Sequence, residues 1–143
     1  MASSNWKKVE LKKCRELGGE RSGPTGRDDP DCKDIPLIGL EIKAYKRLVF
    51  LTEDWNQAVR NAAKHEPRLI PALNVREGGR GGRDVVQMRH TDFAYLRARV
   101  CHCLTTPYEI AGTEKTTANL LVRIQWPDFT RLFLAATTEG ELS

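Results

Sequence analysis

The stretch from Pro30 to Gln57 constrains the fold more than any other part of the chain. Leu40 to Tyr45 reads L-E-I-K-A-Y, apolar and polar in strict alternation. An extended strand sends successive side chains to opposite faces. Leu40, Ile42 and Ala44 are therefore expected on a core face, with Glu41, Lys43 and Tyr45 together on the other. A carboxylate and an ammonium then project side by side from one rigid element, and Asp31 is available from the segment before it. Two oxygen ligands held near one lysine suit a hard divalent cation and an attacking water. The same alternation is also the ordinary outer face of an amphipathic strand, with Glu and Lys in solvent. The surroundings have to discriminate between the two.

At 143 residues and 40% hydrophobic content, the chain is long enough for one globular domain with its own core. No apolar run approaches a membrane span, and M-A-S-S-N-W-K-K leads into a charged helical pattern rather than a signal peptide. A soluble cytoplasmic protein is expected, in the host cell's cytoplasm if phage-encoded, with no membrane partner. Cys14, Cys32, Cys101 and Cys103 are irregularly spaced, and a domain of this size does not need staples, so reduced thiols are expected. Cys101 and Cys103 lie too close in sequence for the usual zinc-ligand spacing. Charge is uneven: 20 Lys and Arg stand against 14 Asp and Glu up to Arg99, and 3 against 5 from Val100 onward. A basic surface around an acidic pocket is the footprint of a protein that grips phosphates and hydrolyses one; a solvated charged surface accounts for the excess equally well.

In chain order, Asn5 to Leu17 reads as a helix whose inner face carries Trp6, Glu10, Cys14 and Leu17, with Lys7, Lys8, Lys12 and Lys13 outside and Gly18-Gly19 as the stop. Glu10 inside an apolar stripe is either an edge residue that reaches water or a ligand turned toward a site. The Gly- and Pro-rich loop Glu20 to Asp34 offers Arg21, Ser22, Thr25 and Arg27 to a phosphate backbone. Asp31 is favoured among its acids, over Asp28, Asp29 and Asp34, because it follows Pro30 and leads into the strands. A second helix, Leu51 to Lys64, is expected to be capped by Thr52, with Leu51, Trp55, Ala58 and Ala62 buried and Gln57 beside that face. Strands are expected at Arg68 to Arg76, Asp84 to Arg89, Cys101 to Leu104 and Asn119 to Trp126, a short helix capped by Thr91, and a frayed tail from Thr137. Arg80 and Arg83 in the glycine turn, and Lys46 and Arg47 after the L-E-I-K strand, are further candidate DNA contacts. Val85 to Leu96 is echoed by Leu121 to Leu132, with Asp92-Phe93 and Asp128-Phe129 in register.

The order of the parts is more specific than any part alone. A helix with W-K-K-V-E ending in L-G-G-E-R-S-G, a loop giving P-D, a strand G-L-E-I-K and a helix with N-Q-A-V-R-N-A resemble the PD-(D/E)xK nuclease superfamily, nearest to small phage Holliday junction resolvases. The resemblance covers about Trp6 to Leu96. It implies an α/β restriction-endonuclease-like fold, a central mixed sheet flanked by helices. It implies Mg²⁺-dependent (or Mn²⁺-dependent) hydrolysis of DNA phosphodiesters and a homodimer that engages four-way junctions. By position, Asp31, Glu41 and the Ile42 carbonyl would hold the metal, with Glu10 as a further acid. Lys43 would orient the attacking water, and Gln57 matches the helix glutamine. Residues 1–98 would form the nuclease core and 99–143 a C-terminal extension of the same domain. Two alternatives stay open: another repair or restriction-type nuclease of the superfamily, and a basic nucleic-acid-binding module whose carboxylates are incidental.

Overall fold

The computed structural model describes residues 2–22, 30–65, 67–100, 104–115 and 117–142, with side chains described from residue 6 to residue 138 within those ranges. It is an α/β protein with a five-stranded mixed sheet flanked by helices. The elements are α1 (Ala2–Glu16), β1 (Glu20–Arg21), β2 (Cys32–Lys33), β3 (Ile38–Tyr45), α2 (Thr52–Ala63), β4 (Ile70–Glu77), β5 (Asp84–Arg89), α3 (His90–Ala98), β6 (Glu109–Thr113), β7 (Leu120–Gln125) and α4 (Trp126–Leu142). Strand order in the large sheet is β3-β4-β5-β7-β6, and β1 and β2 form a small antiparallel ladder of their own. The chain forms two compact units, one of Met1–Lys43 and Phe50–Leu73, the other of Ala44–Val49 and Asn74–Ser143.

In the first unit, α1 ends as its glycines predict. Gly18 takes φ +88°, its N–H donates to the Arg15 carbonyl, and the Gly19 N–H donates to the Cys14 carbonyl. That pair of bonds is a Schellman C-cap, which satisfies carbonyls the helix would leave open. A side chain on Gly19 would collide with the Ile35 side chain and the Lys33 carbonyl, so the chain turns tightly into β1. β1 then pairs with β2 in the register Glu20↔Lys33 and Arg21↔Cys32. The inner face of α1 is as expected at Glu10, Cys14 and Leu17, but Lys13 is buried there too rather than covering the outside.

The N-cap of α2 lies one residue before the expected Thr52. Leu51 is the N-cap, no side chain caps the helix, and Thr52 is already helical. Trp55, Ala58 and Ala62 are buried as predicted; Leu51 is 42% exposed because, at the cap, it precedes the helical face.

The cysteines correct the sequence reading: Cys14 and Cys32 are disulfide-bonded, 18 residues apart, with Cα atoms 5.3 Å apart. The tight turn after α1 and the Arg21↔Cys32 pairing bring them together, and neither is visible as a spacing rule. Cys101 and Cys103 lie outside the described residues.

In the second unit the internal echo has a structural meaning. β5 runs straight into α3 and β7 straight into α4, and the two strands pair antiparallel with Gln87 opposite Arg123 at the centre. Gln87 and Arg123 are also corresponding positions of the echo, so the ladder relates the two strand–helix units by a local two-fold. Their equivalent Phe93 and Phe129, and Leu96 and Leu132, are all fully buried. The helix α3 starts at His90 with Arg89 as N-cap and no side-chain cap from Thr91. A further strand, β6, lies at Glu109–Thr113; the strand expected at Cys101 to Leu104 lies outside the described residues except for Leu104, and α4 extends to Leu142 through most of the tail expected to fray. No helix among the described residues is long and apolar enough to cross a membrane.

Candidate functional site

All of the predicted acids lie in the first unit, and the local backbone explains how they meet. Asp31 is stitched in on three sides. Its N–H donates to the Leu40 carbonyl at 2.8 Å, and its carbonyl accepts the Ser22 N–H at 2.9 Å. Its Oδ2 accepts the Ile42 N–H at 2.6 Å. Asp31 is thereby held against β3 at the residue between Glu41 and Lys43. The hydroxyl of Ser22 donates to the Pro30 carbonyl at 2.8 Å, which makes Ser22 a brace of this loop.

Glu41 does not face solvent. The strand β3 is buried on both faces from Ile38 to Ile42, and Glu41 is 2% exposed. Ala44, assigned to the core by the alternation, is exposed. A buried carboxylate needs a partner. Glu41 finds it in Asn61 of α2, whose Nδ2 donates to Oε1 at 2.7 Å. Asn61 was not foreseen. It lies one helical turn after Gln57, and Gln57, half-buried, makes no hydrogen bond among the described residues. The signal that points to Asn61 is a lone amide between Ala58 and Ala62 on a face otherwise given to the core.

Gly39 allows this reach. A Cβ there would lie 3.1 Å from the Ala62 Cβ and 3.3 Å from the Pro30 ring. With a bare glycine on the strand and alanines on the helix, α2 packs close enough for a short asparagine to touch the strand's carboxylate. The same glycine accommodates the Pro30-Asp31 turn.

Electrostatics bind the group together. Burial, opposed by the Ile42 N–H and then reinforced by Glu10, raises the Asp31 pKa to about 6. Burial, then the charge of Asp31, raises Glu41 to about 7, against the lowering effects of Asn61 and Lys43. Asp31, Glu41, Glu10 and Lys43 therefore share one electrostatic neighbourhood. Glu10 is itself buried and turned to Arg21, with Nε to Oε1 at 3.4 Å. Arg21 is thus the partner of an acid as well as a candidate phosphate contact.

No known protein family, curated protein or solved structure matches this chain.

The donor set can be tested directly against a metal. Among the described residues no group of three His, Cys, Asp or Glu side chains is arranged to hold an ion, so Glu10 does not complete a three-acid cage. What remains is two carboxylates, each pinned through one oxygen while the other oxygen has no hydrogen-bond partner among the described residues. Mg²⁺ is ordinarily held by one or two carboxylates, with waters and substrate phosphates completing its octahedron. The residues therefore fit a hard divalent ion of that kind. Lys43, half-buried beside the pair, forms no ion pair among the described residues.

The remaining predicted contacts are more scattered. Thr25 and Arg27 lie outside the described residues. Lys46, Arg47, Arg80 and Arg83 belong to the second unit, and all four are exposed. Arg83 is tied to Glu77, whose carboxylate accepts the backbone N–H of Arg83 at 3.2 Å and of Leu48 at 3.1 Å. The Arg83 N–H is the main cause that lowers the Glu77 pKa.

Proposed function

We propose that the chain is a Mg²⁺-dependent endonuclease hydrolysing DNA phosphodiester bonds, with Mn²⁺ able to substitute. Its substrate, in this reading, is the four-way junction, cut by a homodimer. One observation carries it: buried Glu41 and half-buried Asp31 lie in one electrostatic neighbourhood with Lys43, each with one oxygen fixed and one left over. An incidental pair of surface acids would sit in water at its ordinary pKa; these two sit where ionisation is costly until a cation arrives.

A bound Mg²⁺ supplies charge neutralisation at the scissile phosphate and a water acidified toward neutral pH. Asp31 and Glu41 would hold it and would give up their protons to do so, so cation affinity should rise with pH through their titration range. Lys43 would steady a non-bridging phosphate oxygen and orient the attacking water. Gln57 borders the same face of α2 and is available to that water. The junction specificity and the dimer rest on the resemblance to the phage resolvases; the basic excess up to Arg99 supports contact with a phosphate backbone.

The test is cleavage of labelled four-way junction, flap and duplex DNA side by side, with and without Mg²⁺. Cleavage of the junction that requires Mg²⁺ is expected, lost in Lys43→Ala while that variant still binds the ion. No metal-dependent cleavage of any of the three, or normal cleavage by the Asp31→Asn/Glu41→Gln double variant, refutes the reading. DNA binding without turnover would identify a binding module instead.

A further inference from the structure

We propose that Asn61 determines which cation the two acids accept, by keeping Glu41 monodentate; this rests on the metal-binding reading above. Asn61 is almost fully buried in the interior of α2, a position where asparagine is a poorer helix former than the alanines beside it. Its amide donates to one specific atom, Glu41 Oε1, at 2.7 Å. The Ile42 N–H does the same to Asp31 Oδ2 at 2.6 Å. Both acids thus enter the site with one oxygen engaged.

The consequence is a difference between ions. A pair of carboxylates held in fixed planes, each presenting its unbonded oxygen first, offers two ready ligand positions. A small six-coordinate ion such as Mg²⁺ or Mn²⁺ completes an octahedron around these with water and phosphate. Ca²⁺ takes six to eight oxygens at longer distances and draws on bidentate carboxylates to reach that number. Oε1 and Oδ2 each keep a second lone pair, but the Asn61 amide and the Ile42 N–H fix the plane of each carboxylate, so turning both oxygens of either acid onto Ca²⁺ strains the hydrogen bond that holds it. Asp31 is fixed by main chain and cannot be released by substitution. Asn61 is therefore the adjustable half of the device. The close seating of α2 over Gly39 makes it rigid, since the amide has no slack with which to follow a moving carboxylate.

A purely structural role for Asn61 predicts a different outcome. It would alter folding stability and weaken all cations alike; a selectivity role changes their ratio. The experiment is Mn²⁺ binding to the full-length protein, read by the loss of the free-ion paramagnetic resonance signal, with Ca²⁺ as competitor. The expectation is that the wild type prefers Mn²⁺. In Asn61→Ala the Mn²⁺-to-Ca²⁺ affinity ratio should fall about tenfold, the scale on which an outer hydrogen bond tunes a metal site. Asn61→Leu, close to asparagine in shape but without the donor, should show the same fall, so that a cavity left by alanine is not the cause. Exposed Asn56 on the same helix, changed to alanine, should leave the ratio unchanged. An unchanged ratio in a folded Asn61 variant overturns the inference alone. Failure of the wild type to bind either ion overturns the metal-binding reading and the inference together.

Discussion

Replacing Glu41 by glutamine should stabilise the metal-free protein at neutral and alkaline pH while abolishing the proposed Mg²⁺-dependent cleavage. Glu41 is 2% exposed, and burial followed by the neighbouring Asp31 charge lifts its pKa from 4.5 to about 7. Because the folded pKa lies above the unfolded one, the folded state holds its proton more tightly than the unfolded chain. The contribution to stability is therefore whole below pH 4.5 and is lost as pH climbs through about 7. A rise of that size, at about 1.4 kcal/mol per pH unit, is a loss of about 3 kcal/mol by pH 8. Glutamine does not titrate, and its amide oxygen can still accept the Asn61 N–H. The variant and the wild type should then match near pH 4 and diverge to about 3 kcal/mol in favour of the variant at pH 8, roughly 10 °C in melting temperature. Urea unfolding at pH 4 to 8 in the presence of a chelator measures it. Saturating Mg²⁺ at pH 8 should return about 3 kcal/mol to the wild type at a hundredfold excess over its Kd, and much less to the variant. A stability difference that is flat with pH, or a glutamine variant weaker at pH 8, would refute the electrostatic account of the site.

Two further substitutions probe the scaffold. Gly39→Ala should cost about 1–3 kcal/mol, the usual penalty of overpacking, because its methyl would press on Ala62 and Pro30. It should weaken Mn²⁺ binding as well, since the same methyl disturbs both acids' supports; thermal melts and ion titration check the two effects separately. Cys14→Ala/Cys32→Ala, or reduction of the wild type, should lower stability by about 3 kcal/mol, the scale for a disulfide closing a loop of this size; unfolding with and without a reductant reads it.

The alternation from Leu40 to Tyr45 located β3 and put Glu41 and Lys43 on one face without help from coordinates, because a strand's period is fixed by its backbone. The same logic recovered β5 residue for residue and the buried Trp55, Ala58 and Ala62 of α2. It failed where the answer depended on neighbours distant in sequence. Whether Glu41 faced water or protein turned on what covered β3, and the pairing of Cys14 with Cys32 on a two-residue ladder. Gln57 and Asn61 share a helix face by periodicity, so the pattern could not choose between them. The choice was made by the packing distance over Gly39, which no period encodes. The missed caps at Thr52 and Thr91 differ in kind: a capping side chain is a local option, and the observed helix starts leave both unused.

The sequence by itself determined which residues were eligible for chemistry: an aspartate after a proline, and a glutamate and a lysine two apart on a strand. Local periodicity and local turn chemistry suffice for that, since each acts over a few bonds. Only the tertiary structure decided that half-buried Asp31 and buried Glu41 share one electrostatic neighbourhood, that an amide from α2 holds one of them, and that Glu10 answers to Arg21. Burial and mutual charge depend on distances between segments far apart in the chain, and packing sets those distances.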